Sequence, residues 1–230
     1  MSIRENYELV EAKVAAACQK AGRKREEVRL IAVTKFVEVD RIAEAAAAGA
    51  KEIGENRPQE FAAKMAFFQE KSLVPHFIGQ LQTNKVKYVI GKAALIQSLD
   101  RMELANEISR LAQKRQLVQD VLVEVNIGEE DQKAGVAPAV LPEFLAMISE
   151  MPGIRVKGLM CIPPHVGEEE ARIYFARMRQ LFDSLRVSAP QGVDMQVLSM
   201  GMSGDYAAAI LEGATMVRVG TAIFGARQTA

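Results

Sequence analysis

The chain has 230 residues with 29 basic and 29 acidic side chains, 49% hydrophobic and 25% charged, a balance that excludes a dedicated nucleic-acid or anionic-membrane surface. The basic run Gly22-Arg23-Lys24-Arg25 is followed at once by acidic residues and reads as a solvated face. Two dispersed cysteines and two histidines exclude a structural zinc site, and neither a secretory leader nor an apolar run near the roughly 20 residues of a membrane span is present, so the expected setting is the cytoplasm with reduced thiols.

In chain order, Ile3, Tyr7, Val10, Val14 and Ala17 recur at helical spacing, with Gly22 placed to end the helix and Cys18 on its apolar face. An apolar β-branched run at 28–33 predicts a buried strand ending in Thr34-Lys35. A helix at 39–48, closed by Gly49, leads to a brief strand at 51–54 that enters Glu55-Asn56-Arg57. Phe61, Met65 and Phe68 mark the next helix, followed by a strand at 76–81, a helix at 84–90 and a strand at 93–99. Asp100 and Glu103 then read as a capping box for a helix striped by Leu104, Ile108 and Leu111. The second half continues with strands at 121–126, 154–161, 195–200 and 215–219. Between them lie helices at 139–149, around Phe175, Met178, Phe182 and Leu185, and at 206–211.

Eight strands alternating with helices imply parallel strands with helical crossovers. The predicted fold is α/β, a single (β/α)8 TIM-type barrel with an extra N-terminal helix, in one domain over 1–230. A doubly wound open sheet is the alternative, and the absence of GxGxxG after the first strand speaks against it.

In such a barrel the chemistry sits at the carboxyl ends of the strands. Lys35 ends the first strand behind the apolar residues Leu30, Ile31, Ala32 and Val33. A desolvated lysine is a usable amine nucleophile for Schiff-base chemistry; the alternative is a lysine that ends a strand and reaches solvent. Ser199-Met200-Gly201-Met202-Ser203-Gly204-Asp205 lies between the seventh strand and a helix, and Gly220-Thr221 follows the eighth strand. Glycines and hydroxyls after strands seven and eight suit a phosphate, or are ordinary turns. Arg218 shares a strand face with Gly220; pointing inward it needs a partner, either a ligand group or a barrel carboxylate such as Glu124. His76 starts a strand at the far end and reads as structural, His165 as a loop residue, and Met178 and Met195 as packing.

Ala32-Val33-Thr34-Lys35, Gly54-Glu55-Asn56, His76-Phe77-Ile78-Gly79-Gln80-Leu81-Gln82-Thr83-Asn84-Lys85, the 199–205 loop and Arg218-Val219-Gly220-Thr221-Ala222-Ile223-Phe224-Gly225 together resemble the pyridoxal phosphate homeostasis protein family. The resemblance spans essentially the whole chain. It implies a barrel similar to the N-terminal domain of alanine racemase, holding pyridoxal 5′-phosphate (PLP) as a Schiff base on Lys35. It further implies that Arg218 faces the pyridine nitrogen, that Ser199, Ser203, Gly220 and Thr221 hold the phosphate, and that Asn56 lies near the ring.

Three functions compete: a PLP carrier without robust turnover, an amino-acid racemase-like enzyme, and a barrel enzyme for another phosphorylated metabolite. A carbanion on PLP is stabilised best when the pyridine nitrogen is protonated, and arginine does not give up its proton. Racemases of this type work with such an arginine, so Arg218 alone decides nothing. The resemblance to alanine racemase implies a second base, a tyrosine from a further β domain of the partner subunit, and the sequence offers none after the eighth strand. The remaining tyrosines, Tyr7, Tyr88, Tyr174 and Tyr206, fall in predicted helices. A non-enzymatic PLP-homeostasis role is therefore expected, with a site open to small amines and free amino acids, apo PLP enzymes as recipients, and a monomeric chain.

Overall fold

The computed structural model describes residues 1–226; the last four residues of the expected domain, 227–230, lie outside the described residues. Its strands are β1 (Arg29–Val33), β2 (Glu52–Glu55), β3 (Val74–Phe77), β4 (Leu95–Leu99), β5 (Gln119–Val125), β6 (Ile154–Cys161), β7 (Val193–Ser199) and β8 (Met216–Val219). Each pairs in parallel with the next, and β8 pairs with β1, so the sheet closes into a barrel in chain order. Its helices are α1 (Ile3–Lys20), α2 (Val39–Ala47), α3 (Pro58–Glu70), α4 (Met102–Lys114), α5 (Leu141–Ser149), α6 (Glu168–Ser188), α7 (Tyr206–Leu211) and α8 (Thr221–Phe224).

The predicted barrel is therefore the observed one, and the extra helix has a place in it. After β8 the helix α8 is a single turn, and α1 packs against α7, α8 and α2, completing the outer ring where the chain closes. A Ser2–Glu5 capping box starts α1, and its buried face carries Ile3, Tyr7, Val10, Val14, Ala17 and Cys18.

The core has two layers. Inside the barrel, Ile31, Leu95, Leu122, Met160 and Met216 pack together with Val197. A larger layer between sheet and helices includes Ile53, Phe61, Phe77, Met178 and Met195. Gly158 shows how tightly the sheet curves: its φ is +145°, and a Cβ there would lie 1.9 Å from the Val197 carbonyl oxygen. It sits where the β6–β7 register shifts, so only glycine lets the two backbones meet.

Three local expectations are corrected. The strand predicted at 76–81 is β3, which ends at Phe77, its last ladder partner of Glu55 and Ile96. His76 is thus inside the strand and fully buried, not at its start. The helix predicted at 84–90 is a 3₁₀-helix over Thr83–Tyr88, a tighter coil that spans more length per residue in a short connection. Finally, Asp100 does not cap α4; the N-cap is Arg101, whose guanidinium pairs with the Asp100 carboxylate.

Candidate cofactor site at the barrel mouth

Because all strands are parallel, their carboxyl ends form one rim. Alternation along a strand then decides which side chains enter it. Ile31 and Leu122 line the interior, so Lys35 and Glu124, an even number of residues further on, point to the same side. The same step from Met216 brings Arg218 inward.

Lys35 is half-buried in the turn after β1. That turn is closed by the Val37 N–H donating to the Thr34 carbonyl at 3.1 Å. Its third residue, Phe36, has a φ of +60°, a left-handed conformation that costs a side-chain-bearing residue about 1 kcal/mol. Helix α3 supplies what holds it there. The Phe36 N–H donates to Glu60 Oε2 at 3.1 Å, and the Arg57 guanidinium lies 4.2 Å from the Phe36 ring centre. One turn further along α3, Lys64 Nζ donates to the Thr34 carbonyl at 3.0 Å and to Glu55 Oε1 at 2.8 Å. Thr34 Oγ1 donates to the same Glu55 oxygen at 2.7 Å. Glu55 is fully buried; burial pushes its pKa up, and the Lys64 and Thr34 hydrogen bonds oppose that rise.

Arg218 is 4% exposed. It donates to Ser199 Oγ at 2.7 Å and to the Cys161 carbonyl at 3.0 Å, and among the described residues it forms no ion pair, so the Glu124 alternative is not how it is satisfied. Burial lowers its pKa from the usual arginine value, but a guanidinium does not lose its proton in a protein. Ser199 in turn donates to Gln97 Oε1 at 2.7 Å, and Gln97 Nε2 meets His76 Nδ1 at 3.2 Å. His76 Nε2 meets Glu52 Oε2 at 3.0 Å, and Arg29 pairs with Glu52 at 2.6 Å. A polar chain thus runs up through the barrel from Arg29 to Arg218. Burial holds His76 below its ordinary pKa and keeps it neutral, consistent with accepting at Nδ1 and donating at Nε2. Burial works against the Glu52 charge, but hydrogen bonds from His76 and Arg29 outweigh it and hold that carboxyl down to about 2.

The Ser199 hydroxyl is fully buried, donating to Gln97 and accepting from Arg218, so it holds the Arg218 guanidinium in place. Ser199 pairs in register with Met216, two residues below Arg218. Ser203 lies in the loop above, half-buried. Its Oγ accepts from the Gly220 N–H at 3.1 Å and from the Ala222 N–H at 3.3 Å. Two backbone donors thus converge on one oxygen beside exposed Thr221, and a Cβ on the neighbouring Gly204 would meet nothing within 4 Å. Gly201 holds the loop's entry with a φ of +91°, where a Cβ would lie 2.5 Å from the Ala209 Cβ. Asp205 closes the loop by accepting from the Met202 N–H.

On the opposite side of the rim, Asn56 lines a cavity of about 320 Å³ together with Gln80, Glu124 and Lys133. Asn56 Oδ1 is buried with no hydrogen-bond partner. An orphaned buried acceptor is costly and marks a place where a ligand belongs. The residues therefore fit a phosphorylated aromatic ligand: backbone donors and an open loop after β7 and β8, a fixed guanidinium, an unsatisfied amide, and a lysine at the end of β1. Sequence reasoning did not single out Gln97 or the cavity-lining place of Glu124. The signal for both is a polar residue on the inward face of an apolar strand.

A parallel eight-stranded barrel with a lysine at the end of β1 and glycine-hydroxyl loops after β7 and β8 defines a class: barrels of the alanine racemase type. The family model for "Alanine racemase, N-terminal domain" matches residues 6–228. Alanine racemase from Corynebacterium glutamicum shares the fold, with a TM-score of 0.67 at 17% identity over 96% of this chain and 62% of that one.

Full-length relatives define the family more closely. The chain is 45% identical over 229 residues to the pyridoxal phosphate homeostasis protein of Aquifex aeolicus, covering 99% of this chain and 100% of that one. It is 39% identical to the protein of that name in Escherichia coli K12, covering 98% and 97%. The solved structure of PipY from Synechococcus elongatus PCC7942 with PLP bound matches with a TM-score of 0.79 and 37% identity, covering 86% of this chain and 93% of that one. The chain belongs to the pyridoxal phosphate homeostasis protein family. Among the described residues no helix is long and apolar enough to cross a membrane.

Proposed function

We propose that this chain binds PLP at the barrel mouth, holds it as a Schiff base on Lys35, and serves PLP homeostasis rather than robust turnover. The observation that carries the reading is the set of groups on one rim: Lys35 after β1, the buried Arg218 fixed by Ser199 and the Cys161 carbonyl, and the Ser203 hydroxyl held by the Gly220 and Ala222 N–H groups. The PLP-bound PipY relative and the shared family name support it.

In this reading Ser203, Gly220 and Thr221 hold the phosphate, Arg218 faces the ring nitrogen, and the orphaned Asn56 Oδ1 lies beside the ring. When bound, PLP supplies an electrophilic carbon on which primary amines exchange. Arg218, a permanent donor, keeps the ring nitrogen unprotonated and so weakens the electron sink that turnover needs. Tyr7 donates to Glu11 on α1, which engages its hydroxyl within the outer helix layer. Free amino acids and apo PLP enzymes are the proposed exchange partners, with the chain acting as a monomer.

Borohydride reduction of the PLP-loaded protein followed by peptide mapping tests the attachment. The expected product is a phosphopyridoxyl group on Lys35. An unmodified Lys35 with no visible-range chromophore overturns the reading. In Lys35→Ala the covalent product disappears, while weaker PLP binding persists through Ser203, Gly220, Thr221 and Arg218. Complete loss of binding in equilibrium dialysis contradicts the role given to those groups.

A further inference from the structure

Glu124 has no part in the reading above. It is 7% exposed, two residues beyond the interior Leu122 on β5, and it lines the 320 Å³ cavity opposite the phosphate loops. Among the described residues its carboxyl accepts no hydrogen bond and forms no ion pair. The other carboxylates of the barrel each have an ion-pair partner, half-buried Glu52 with Arg29 and buried Glu55, through Oε1, with Lys64, although Glu55 Oε2 has none. A largely buried carboxyl left unpaired beside a cavity costs stability, and such a group is retained where a ligand uses it.

The surroundings say which ligand. Asp100, at the end of β4, adds negative potential at Glu124, and Arg218 from β8 opposes it. Cys161, at the end of β6, is buried and its thiol is pushed up to about 12, so it contributes no charge. Lys133, in the loop after β5, is already held by Glu130 and by the Pro163 carbonyl at 3.1 Å. Asp100 is itself paired with Arg101, and Lys35 lies on the same inward side, so the group of the cavity wall that still lacks a donor is the Glu124 carboxyl, which suits a ligand bringing N–H donors. Gln80, Gln132 and Asn56 add polar but uncharged lining.

We propose that this cavity is a subsite for a primary ammonium group, that of a free amino acid or small amine, and that Glu124 accepts its proton. One N–H bond of the ammonium breaks, its electron pair stays on nitrogen, and the proton moves to a Glu124 carboxyl oxygen. No other bond changes. The product is a neutral amine, the only form that is a nucleophile. This inference rests on the PLP reading, because a neutral amine has a use only beside the cofactor's electrophilic carbon. Burial, Asp100 and Arg218 together bring the Glu124 pKa to about 7, where the carboxyl can both take and release a proton at neutral pH.

The test has two arms. In the apo protein with ¹³C-labelled glutamate carboxyls, one resonance titrates near neutrality, is absent in Glu124→Gln, and moves to a lower midpoint when methylamine is added. A spectrum in which no resonance missing from Glu124→Gln titrates above the ordinary range, or in which methylamine leaves that resonance unmoved, overturns the proposal. In the PLP-loaded protein at pH 7, Glu124→Gln slows the methylamine-induced absorbance change by on the order of 100-fold. It leaves the response to trifluoroethylamine, already a free base at that pH, unchanged. Equal slowing with both amines points to a merely structural residue and overturns the proposal. If neither amine changes the wild-type spectrum and Lys35 is not labelled, the PLP reading has failed, and the apo titration decides the amine subsite alone.

Discussion

The lower and upper halves of the barrel interior are built from similar residues but treated differently. Below, Arg29, Glu52, His76 and Gln97 meet one another, and Gln97 spends its amide on His76, Ser199 and the Met216 sulfur. Above, Asn56 Oδ1 has no partner, and the Glu124 carboxyl faces a cavity. The lower layer has the signature of structure: each polar atom is matched, so it fixes Arg218 without inviting a ligand. The upper layer has the signature of function: it carries unmet polar groups whose cost the folded protein bears until something binds.

The contrast can be broken from below. Gln97→Leu leaves the Ser199 hydroxyl and His76 Nδ1 buried without their partner, in a region with no access to water. Two unsatisfied buried groups cost roughly 4 kcal/mol, read as a lower midpoint in urea unfolding. Arg218 also loses the support behind Ser199, so PLP affinity falls although the substituted side chain touches no ligand. A Gln97→Leu protein with unchanged stability would mean that the polar chain is not the structural layer described here.

It is sharpened from above, with the opposite sign. Burial raises the Glu124 pKa from 4.5 to about 7. The native state then keeps a proton that the unfolded chain has already released between those two pH values. Its contribution is fully present below pH 4.5 and is lost as pH rises through 7. Glu124→Gln removes the buried charge, so above pH 7 the variant is more stable than the parent by roughly 3 kcal/mol, with no difference at pH 4. Urea unfolding at the two pH values checks this. A variant that gains stability while losing amine exchange is the expected trade at a functional site.

Much of this was legible because period-two alternation carries from the apolar core to the rim. Ile31 and Met216 pack inside the barrel, and the two-residue step along each strand carries Lys35 and Arg218 to the same inward side. Alternation does not give height along the barrel axis, which depends on how far each strand is staggered against its neighbour. Ser199 ends β7 yet pairs with Met216, below Arg218, so a residue read as rim is one layer down. Gln97 was hidden for a related reason: within Leu95–Leu99 it looks like a lapse in an apolar strand, and its partners His76 and Ser199 are 21 and 102 residues away. Asp100 failed as a cap because its neighbour Arg101 offers a stronger, charged partner.

The smallest expected effect concerns the turn that carries Lys35, which lies between the two layers and is held from outside the barrel. Lys64 is 12% exposed at its side chain and joins the Thr34 carbonyl to Glu55. Lys64→Met removes that donor and leaves Glu55 buried without its counter-charge. Burial already pushes the Glu55 pKa up, so the carboxyl can take a proton instead of remaining charged, which limits the loss to roughly 2 kcal/mol. The informative readout is local. Faster amide exchange at Val37, whose N–H closes the turn, together with a few-fold weaker retention of PLP, is expected, with Lys64→Arg restoring both. If exchange at Val37 is unchanged, the Thr34 N–H to Gly54 carbonyl bond of 2.9 Å and the Phe36–Glu60 contact suffice to hold the left-handed Phe36. The α3 clamp then contributes stability to the barrel wall but no positioning to Lys35.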